Sequence, residues 1–429
     1  HGKFRRQRQM CIRDSAYPDS VSMRSYTPAY AGDPEQIDRA VEAMLAAKKP
    51  VFYVGGGVIL ASAWEQLRNL VRALGAPVAS TLMGLGAFPG TDPLSLGMLG
   101  MHGTYEANMA MDGADLVIAL GARFDDRVTN NPDKFSPKAT IIHMDVDAAS
   151  LNKIIDADIS LLGDGSWILQ QLSTRLEHAM RGLDDVAQKN RAQELNDWWQ
   201  QLNDWRSANG LNHNIQPQAG KPILPQLAIQ SLYKVTKGDA FVSSDVGQHQ
   251  MFAAQYYHFD EPRRWINSGG LGTMGFGLPS AMGVQMGNPE ATVACVTGEG
   301  SFMMNMQELS TCLQYGLPIK IINLNNQALG MVKQWQDMQY GGRHSQSTYS
   351  DSLPDFKTLI EAFGHVGIKV SDAGELDAAM AEAFSEKNKN RLVFVDVWVD
   401  PHEHVYPMAI KGGAMRDMVL SKSTAAESS

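Results

Sequence analysis

The sequence predicts an α/β protein made of two doubly wound parallel-sheet domains. Two observations carry that expectation. In both halves, short apolar runs alternate with helical periodicity, and each run ends in glycine or a polar residue. Between the halves, composition shifts to Asn, Gln, Asp and Arg with Trp198, Trp199 and Trp205, and residues 212–222 read as an exposed linker. The expected boundaries are 16–182 for the first domain, 183–222 for a linker with a Trp-rich helix, and 223–429 for the second domain.

The chain has 429 residues, 44% hydrophobic and 19% charged, with a net charge of -9. That is an ordinary globular composition with room for two or three domains. The acidic balance argues against a nucleic-acid partner, and no apolar run reaches membrane-spanning length. Cys11, Cys295 and Cys312 make no disulfide framework, which fits a reducing cytoplasm, and the last two suit core packing in a strand and a helix. Residues 1–15 are basic, aperiodic and begin without Met. The run MCIRDS reads as translated adapter sequence. The expectation is that this segment is non-native, that the native chain starts upstream, and that a domain is missing there.

In the first domain, Asp33-Pro34 caps an amphipathic helix over 33–48. A strand over 51–54 runs into Gly55, Gly56 and Gly57 and then a helix over 59–74. That order suits either a phosphate approach or a plain tight turn. A short strand over 77–79 leads to Thr81 and Leu82. Strands over 116–120 and 140–144 end at Gly121 and Asp145, and Asp164 follows a further apolar run. At such strand ends Arg123 could meet a pyrophosphate and Asp145 a ribose hydroxyl, the alternative being a solvated loop with local ion pairs. His102 lies in a loop of small residues with no second His or Cys at metal spacing, so zinc is not supported.

In the second domain, a helix over 225–235 precedes a strand over 240–244, which opens into the loop DVGQHQ, 245–250. Backbone amides there, with Gln248 and His249, suit phosphate oxygens. The loop NSGGLGTMGFGLP, 267–279, is dense in glycine. Met274 within it either wedges beneath a heteroaromatic ring or fills core. A strand over 293–296 ends in Gly298-Glu299-Gly300, a helix over 302–315 returns, and a strand over 319–324 ends in Asn325-Asn326. Parallel strands bring both clusters to one edge, where a carboxylate and an amide oxygen suit Mg²⁺. The helix over 329–340 carries Met331 and Trp335 on one face, lining either core or a small-substrate pocket.

The run from 292 to 330 resembles the signature of thiamine-diphosphate enzymes, with Glu299 where that family has Asp. SMRSY, GLGAFPG, GMLGMHGTYEAN, GARFDDR, SDVGQHQ, WINSGGLGTMGFGLP, LGMVKQWQ and HVYPM, in this order, resemble the catalytic subunit family of acetolactate synthase, bacterial biosynthetic type. The resemblance implies a central FAD-binding domain and a C-terminal thiamine-diphosphate domain, with the family's first domain and its catalytic Glu absent from this chain. It implies Mg²⁺ on Glu299, Asn326 and the backbone of Ala328. Val246, Gly247, Gln248, His249, Gly272, Gly300 and Ser301 would contact thiamine diphosphate. Met274 would support the cofactor, and Met331 and Trp335 would shape the acceptor pocket. FAD would lie among Gly55 to Gly57, Thr81, Leu82, Met101, His102, Gly121, Arg123, Asp145 and Asp164. The implied reaction decarboxylates pyruvate and joins the remainder to a second 2-oxoacid, pyruvate or 2-oxobutyrate. The implied partners are a second catalytic subunit, as homodimer or dimer of dimers, and a small regulatory subunit, with no nucleic acid or membrane. Other thiamine-diphosphate enzymes (pyruvate oxidase, 2-oxoacid decarboxylase, glyoxylate carboligase) and an inactive cofactor-binding paralogue remain alternatives at this point.

Overall fold

The computed structural model describes residues 19–20, 29–349 and 352–421. The segment 1–15 and the SMRSY motif lie outside them. The first sheet begins after helix α1 (Pro34–Ala46), where Asp33 accepts the Glu35 N–H at 2.9 Å. Strand β1 (Pro50–Val54) is buried along its whole length and runs into helices α2 (Gly56–Leu60) and α3 (Trp64–Leu74). The sequence suggests one helix here. The chain breaks at Ser62, which takes a left-handed conformation (φ 53°). The break lets α2 lie flush on the Gly121 turn while α3 turns Leu67, Leu70, Val71 and Leu74 into the core.

Strands β2 (Val78–Ser80) and β3 (Ser95–Met98) follow, then helix α4 (Tyr105–Gly113), strand β4 (Leu116–Leu120) and the turn α5 (Asp126–Thr129). Strands β5 (Thr140–Asp145) and β6 (Ile159–Leu162) complete a six-stranded parallel sheet of order β3-β2-β1-β4-β5-β6, and helix α6 (Gly165–Arg181) covers it. In that order the chain reverses direction between β1 and β4, the place where open α/β sheets form a ligand crevice. Helix α7 (Asp185–Asn209) is longer than the Trp-rich helix read from sequence. It packs back on the first sheet: Trp198 is buried with its Nε1 donating to the Pro50 carbonyl at 3.1 Å, and Trp199 caps Gly75 at 2.9 Å.

The second sheet is built from helix α8 (Pro225–Thr236), strand β7 (Phe241–Ser244), helix α9 (Gln248–Tyr256), strand β8 (Trp265–Asn267), helix α10 (Gly277–Gly287) and strand β9 (Val293–Thr297). Helices α11 (Glu299–Met303) and α12 (Glu308–Tyr315) lead to strand β10 (Lys320–Asn325). The expected single helix over 302–315 is broken because Asn305 leaves the helical path to donate to the Gly275 carbonyl of the glycine loop. Helices α13 (Gly330–Gln339) and α14 (Phe356–Ala362), strand β11 (Val366–Val370), helix α15 (Leu376–Ala383) and strand β12 (Val393–Trp398) finish the layer. Its order is β11-β12-β10-β9-β7-β8, all parallel. Strands β9, β10 and β12 are buried almost throughout, as strands covered by helices on both faces must be. A closing ribbon of β13 (Met408–Ala409) and β14 (Met418–Val419) returns to the first domain.

Candidate cofactor site

Three adjacent strands, β10, β9 and β7, end at one edge of the second sheet, and their terminal loops line a cleft open to solvent. Val246, Gly247, Gln248, His249, Met274, Glu299, Gly300, Ser301, Asn326, Ala328 and Met331 all line it. These are residues for which the sequence suggests cofactor, metal or substrate contact. Gly272 and Trp335 are not part of the cleft wall, whereas Pro225, Phe252, Leu329 and Val399 are.

The deepest point is carboxylate and amide together. Glu299 is 1% exposed, and its Oε1 accepts the Ala328 N–H at 2.8 Å. The Oδ1 of Asn326 accepts the same N–H at 3.1 Å. Two oxygens therefore share one donor in a buried place, an arrangement short of positive charge. Burial pushes the Glu299 carboxyl up to about 8, the backbone N–H of Ala328 opposing and the carboxylate of Asp396 adding to the rise. Asp396 is buried in β12, where its Oδ1 accepts Asn323 at 2.8 Å and Asn325 at 3.0 Å and its Oδ2 accepts the Trp398 indole at 2.8 Å. That network holds the end of β10, and Asn325 Oδ1 in turn accepts the Gln327 N–H at 3.2 Å to shape the turn. A charged residue inside the apolar run LVFVDVWV was the sequence signal for Asp396.

Asp245 is the other residue that sequence reasoning passed over, though it stands at a strand end. It is 1% exposed, accepts the Gly275 N–H at 2.7 Å and the Thr297 hydroxyl at 3.1 Å, and so ties the glycine loop to β7 and β9. Burial raises its pKa. The glycines around Glu299 have separate reasons. A Cβ at Gly298 would come within 2.9 Å of the His249 ring, and one at Gly300 would collide with the Tyr349 hydroxyl. His249 is buried and held neutral, its pKa depressed by burial to about 3, and its Nε2 has no partner. An unpaired ring nitrogen in the wall of a cleft fits contact with a bound group.

The residues expected around FAD all lie at the carboxyl edge of the first sheet: Gly55 after β1, Thr81 and Leu82 after β2, Met101 and His102 after β3, Gly121 and Arg123 after β4, Asp145 at the end of β5, and Asp164 after β6. The Gly55–Gly57 turn is pressed against Gly121: the Gly55 N–H meets the Leu120 carbonyl at 2.9 Å and the Gly57 N–H the Gly121 carbonyl at 3.0 Å. Thr81 caps its own turn at Gly84, Asp164 caps α6 at Trp167, and Arg123 pairs with Asp125, the local ion pair of the alternative reading. His102 is 2% exposed, its Nδ1–H donates to the Pro407 carbonyl at 3.2 Å, and its Nε2 has no partner. Burial holds its pKa at about 4. The turn after β2 meets the glycine loop of the second domain, with the Trp265 indole donating to the Leu82 carbonyl at 3.0 Å.

Residues 245–397 match the family model for the C-terminal TPP-binding domain of thiamine pyrophosphate enzymes, and residues 37–172 match the model for their central domain. The class is therefore that of thiamine-diphosphate enzymes. Over 409 residues the chain is 57% identical to the acetolactate synthase isozyme 3 large subunit of Escherichia coli K12, covering 95% of this chain and 69% of that one. It is 53% identical over 407 residues to the acetolactate synthase large subunit of Haemophilus influenzae, covering 95% and 68%, and 50% identical over 406 residues to that of Buchnera aphidicola subsp. Schizaphis graminum. The chain belongs to the acetolactate synthase large-subunit family.

Proposed function

We propose that this chain performs the reaction of that family: thiamine-diphosphate-dependent decarboxylation of pyruvate and ligation of the remaining two-carbon unit to a second 2-oxoacid, pyruvate or 2-oxobutyrate. This is the first common step toward valine, leucine and isoleucine. When bound, thiamine diphosphate supplies the electron sink for the carbon that loses CO₂. The observation that carries the metal assignment is the shared donor. Glu299 Oε1 and Asn326 Oδ1 converge on the Ala328 N–H, 2.8 and 3.1 Å away. Hard oxygen donors of this kind, with the Ala328 carbonyl, suit Mg²⁺. Among the described residues no group of three or more His, Cys, Asp or Glu side chains could hold a metal, so the assignment rests on the mixed set. Val246, Gly247, Gln248, His249, Gly300 and Ser301 would hold the diphosphate, Met274 would support the cofactor, and Met331 would shape the acceptor side of the cleft, which all of them line.

FAD belongs at the carboxyl edge of the first sheet, where the unpaired Nε2 of buried His102 supports a bound group. Homodimerisation is supported by α10. Its Gly283 and Gly287 face open space, Met286 is 57% exposed, and the neighbouring Leu271 is 90% exposed. A small regulatory subunit and a cytoplasmic location complete the proposal. No helix among the described residues is long and apolar enough to cross a membrane.

The test is thiamine-diphosphate titration of the chain with and without Mg²⁺, read by tryptophan fluorescence. Binding should require Mg²⁺ and weaken by about tenfold or more in Asn326→Ala, equivalent to roughly 1.4 kcal/mol. Binding indifferent to Mg²⁺ would remove the metal assignment.

A further inference from the structure

Gln334 lies on α13 between Met331 and Trp335 with 0% exposure. Its Oε1 accepts the Gln248 side-chain N–H at 2.8 Å and the Val405 backbone N–H at 2.9 Å. Its Nε2 donates to the Val405 carbonyl at 3.2 Å and to the Met408 sulfur at 3.4 Å. The paired bonds with Val405 imitate the pairing of a neighbouring strand, and only one orientation of the Gln334 amide satisfies both.

That orientation propagates. With Gln334 Oε1 turned toward it, Gln248 must present Nε2, and its own Oε1 faces away. This Oε1 accepts Asn326 Nδ2 at 3.0 Å. Asn326 Oδ1 is then the end left facing the Ala328 N–H and, beside it, the Glu299 carboxylate. Gly330 keeps the relay clear, because a Cβ there would collide with both Gln248 Oε1 and Asn326 Nδ2. An amide is a cation ligand through one end only. Reversed, Asn326 would offer its NH₂ group and repel the metal.

We propose that Gln334 is a positioning residue for the metal centre: through Gln248 it sets which end of the Asn326 amide faces the cation. The inference rests on the reading that Asn326 ligates Mg²⁺. It gives a helix otherwise marked by pocket residues a second task, and it makes Val405, far from the cleft in sequence, the anchor of a metal ligand's orientation. Residues one shell behind the ligands usually change metal affinity by about 10–100-fold when altered.

Mn²⁺ in the presence of thiamine diphosphate is the probe, and electron paramagnetic resonance gives its dissociation constant for the full chain. Gln334→Met keeps the volume and removes both the acceptor and the donor. It should raise the dissociation constant about tenfold. Gln334→Glu, kept protonated by burial, retains the acceptor toward Gln248 and Val405 and a hydroxyl donor toward the Val405 carbonyl, and should stay near wild type. Thermal unfolding of each variant accompanies the titration, because a merely structural role would lower stability without changing affinity below the transition. Asn326→Ala is the control. If it binds Mn²⁺ as wild type does, the metal reading itself is gone. If it is weakened while Gln334→Met is not, the relay is overturned and the metal reading stands. Equal losses in Gln334→Met and Gln334→Glu also overturn the relay, since packing would then be the cause. Should Gln334→Met not fold, Gln334→Glu decides: near-wild-type affinity supports the relay, and a large loss overturns it.

Discussion

At Gly55 one methyl group is too much. A Cβ there would collide with the Gly121 carbonyl oxygen and come within 2.7 Å of the Ala122 Cα, both backbone atoms that cannot swing aside. Gly55→Ala should destabilise the chain by about 1–3 kcal/mol, read as a lower urea midpoint with an unchanged slope. The same close approach explains why the three glycines of this turn did not by themselves separate a nucleotide loop from a tight turn. Gly55 and Gly57 are needed for backbone contact with the Gly121 turn, and Gly56 lies close to Met83, whether or not a ligand binds. His102 makes a different single-residue prediction. Its pKa is about 4 in the folded chain, against about 6.5 in an unfolded one. The depressed value means the fold favours the neutral ring. Its contribution is therefore whole above pH 6.5 and is lost as pH falls toward 4, by about 3 kcal/mol at the lower end. In His102→Gln the unfolding temperature should fall less steeply over that window than in wild type. An equal slope in both would mean that the ring is not kept neutral by its surroundings.

The site is made by ends of elements, and what ties those ends together is polar and buried. Asp245 joins three of them through Gly275 and Thr297. Asp245→Ala should raise amide exchange over residues 268–276 and weaken thiamine-diphosphate binding through Met274, with strands β7 and β9 still protected. Uniform loss of protection would instead make Asp245 a general core residue. Element by element, the sequence was legible where burial is one-dimensional. The apolar run of β4 has the observed limits, because a strand covered on both faces shows its length in its composition. It was less legible where a tertiary contact interrupts a helix, as at Ser62 beside the Gly121 turn and at Asn305 reaching Gly275. The cleft followed the same rule. Motif residues at strand ends line the cleft, while Trp335 falls outside its wall and Gln334, an unremarkable polar letter between two pocket candidates, is among the most buried residues of α13. Periodicity marks which face a helix shows to the core. It does not say that a polar side chain on that face has found partners.

On the scale of the whole molecule, the two sheets are joined by a strap that the sequence showed only as a Gly- and Met-rich tail. Its first part, 403–408, is stitched to the second domain. Gln226 donates to Glu403 at 2.7 Å and Gln334 pairs with Val405. One amide then spans all three bodies: Gln255 Nε2, on α9, donates to the His102 carbonyl at 2.9 Å and to the Tyr406 carbonyl at 3.0 Å. From there the strap belongs to the first domain. The Ala409 N–H donates to the Met101 carbonyl at 2.8 Å, and Asn130 Nδ2 donates to the carbonyls of Ile410 at 2.6 Å and Gly413 at 3.0 Å while its Oδ1 accepts the Gly412 N–H at 3.0 Å. The ion pair of Arg416 with Asp112 is largely exposed on the arginine side and adds little. Because the bonds on either side of residue 409 go mainly to different domains, the His102 bond to the Pro407 carbonyl being the exception, the halves of the strap should open separately. Asn130→Ala removes three bonds from the distal half alone. Amide exchange should rise over 410–418 and stay slow over 403–408, and Mn²⁺ affinity, which depends on the Val405 anchor, should not move. If exchange rises over the whole strap and cation affinity falls with it, the strap opens as one unit, and the metal centre then responds to the first domain through its entire length.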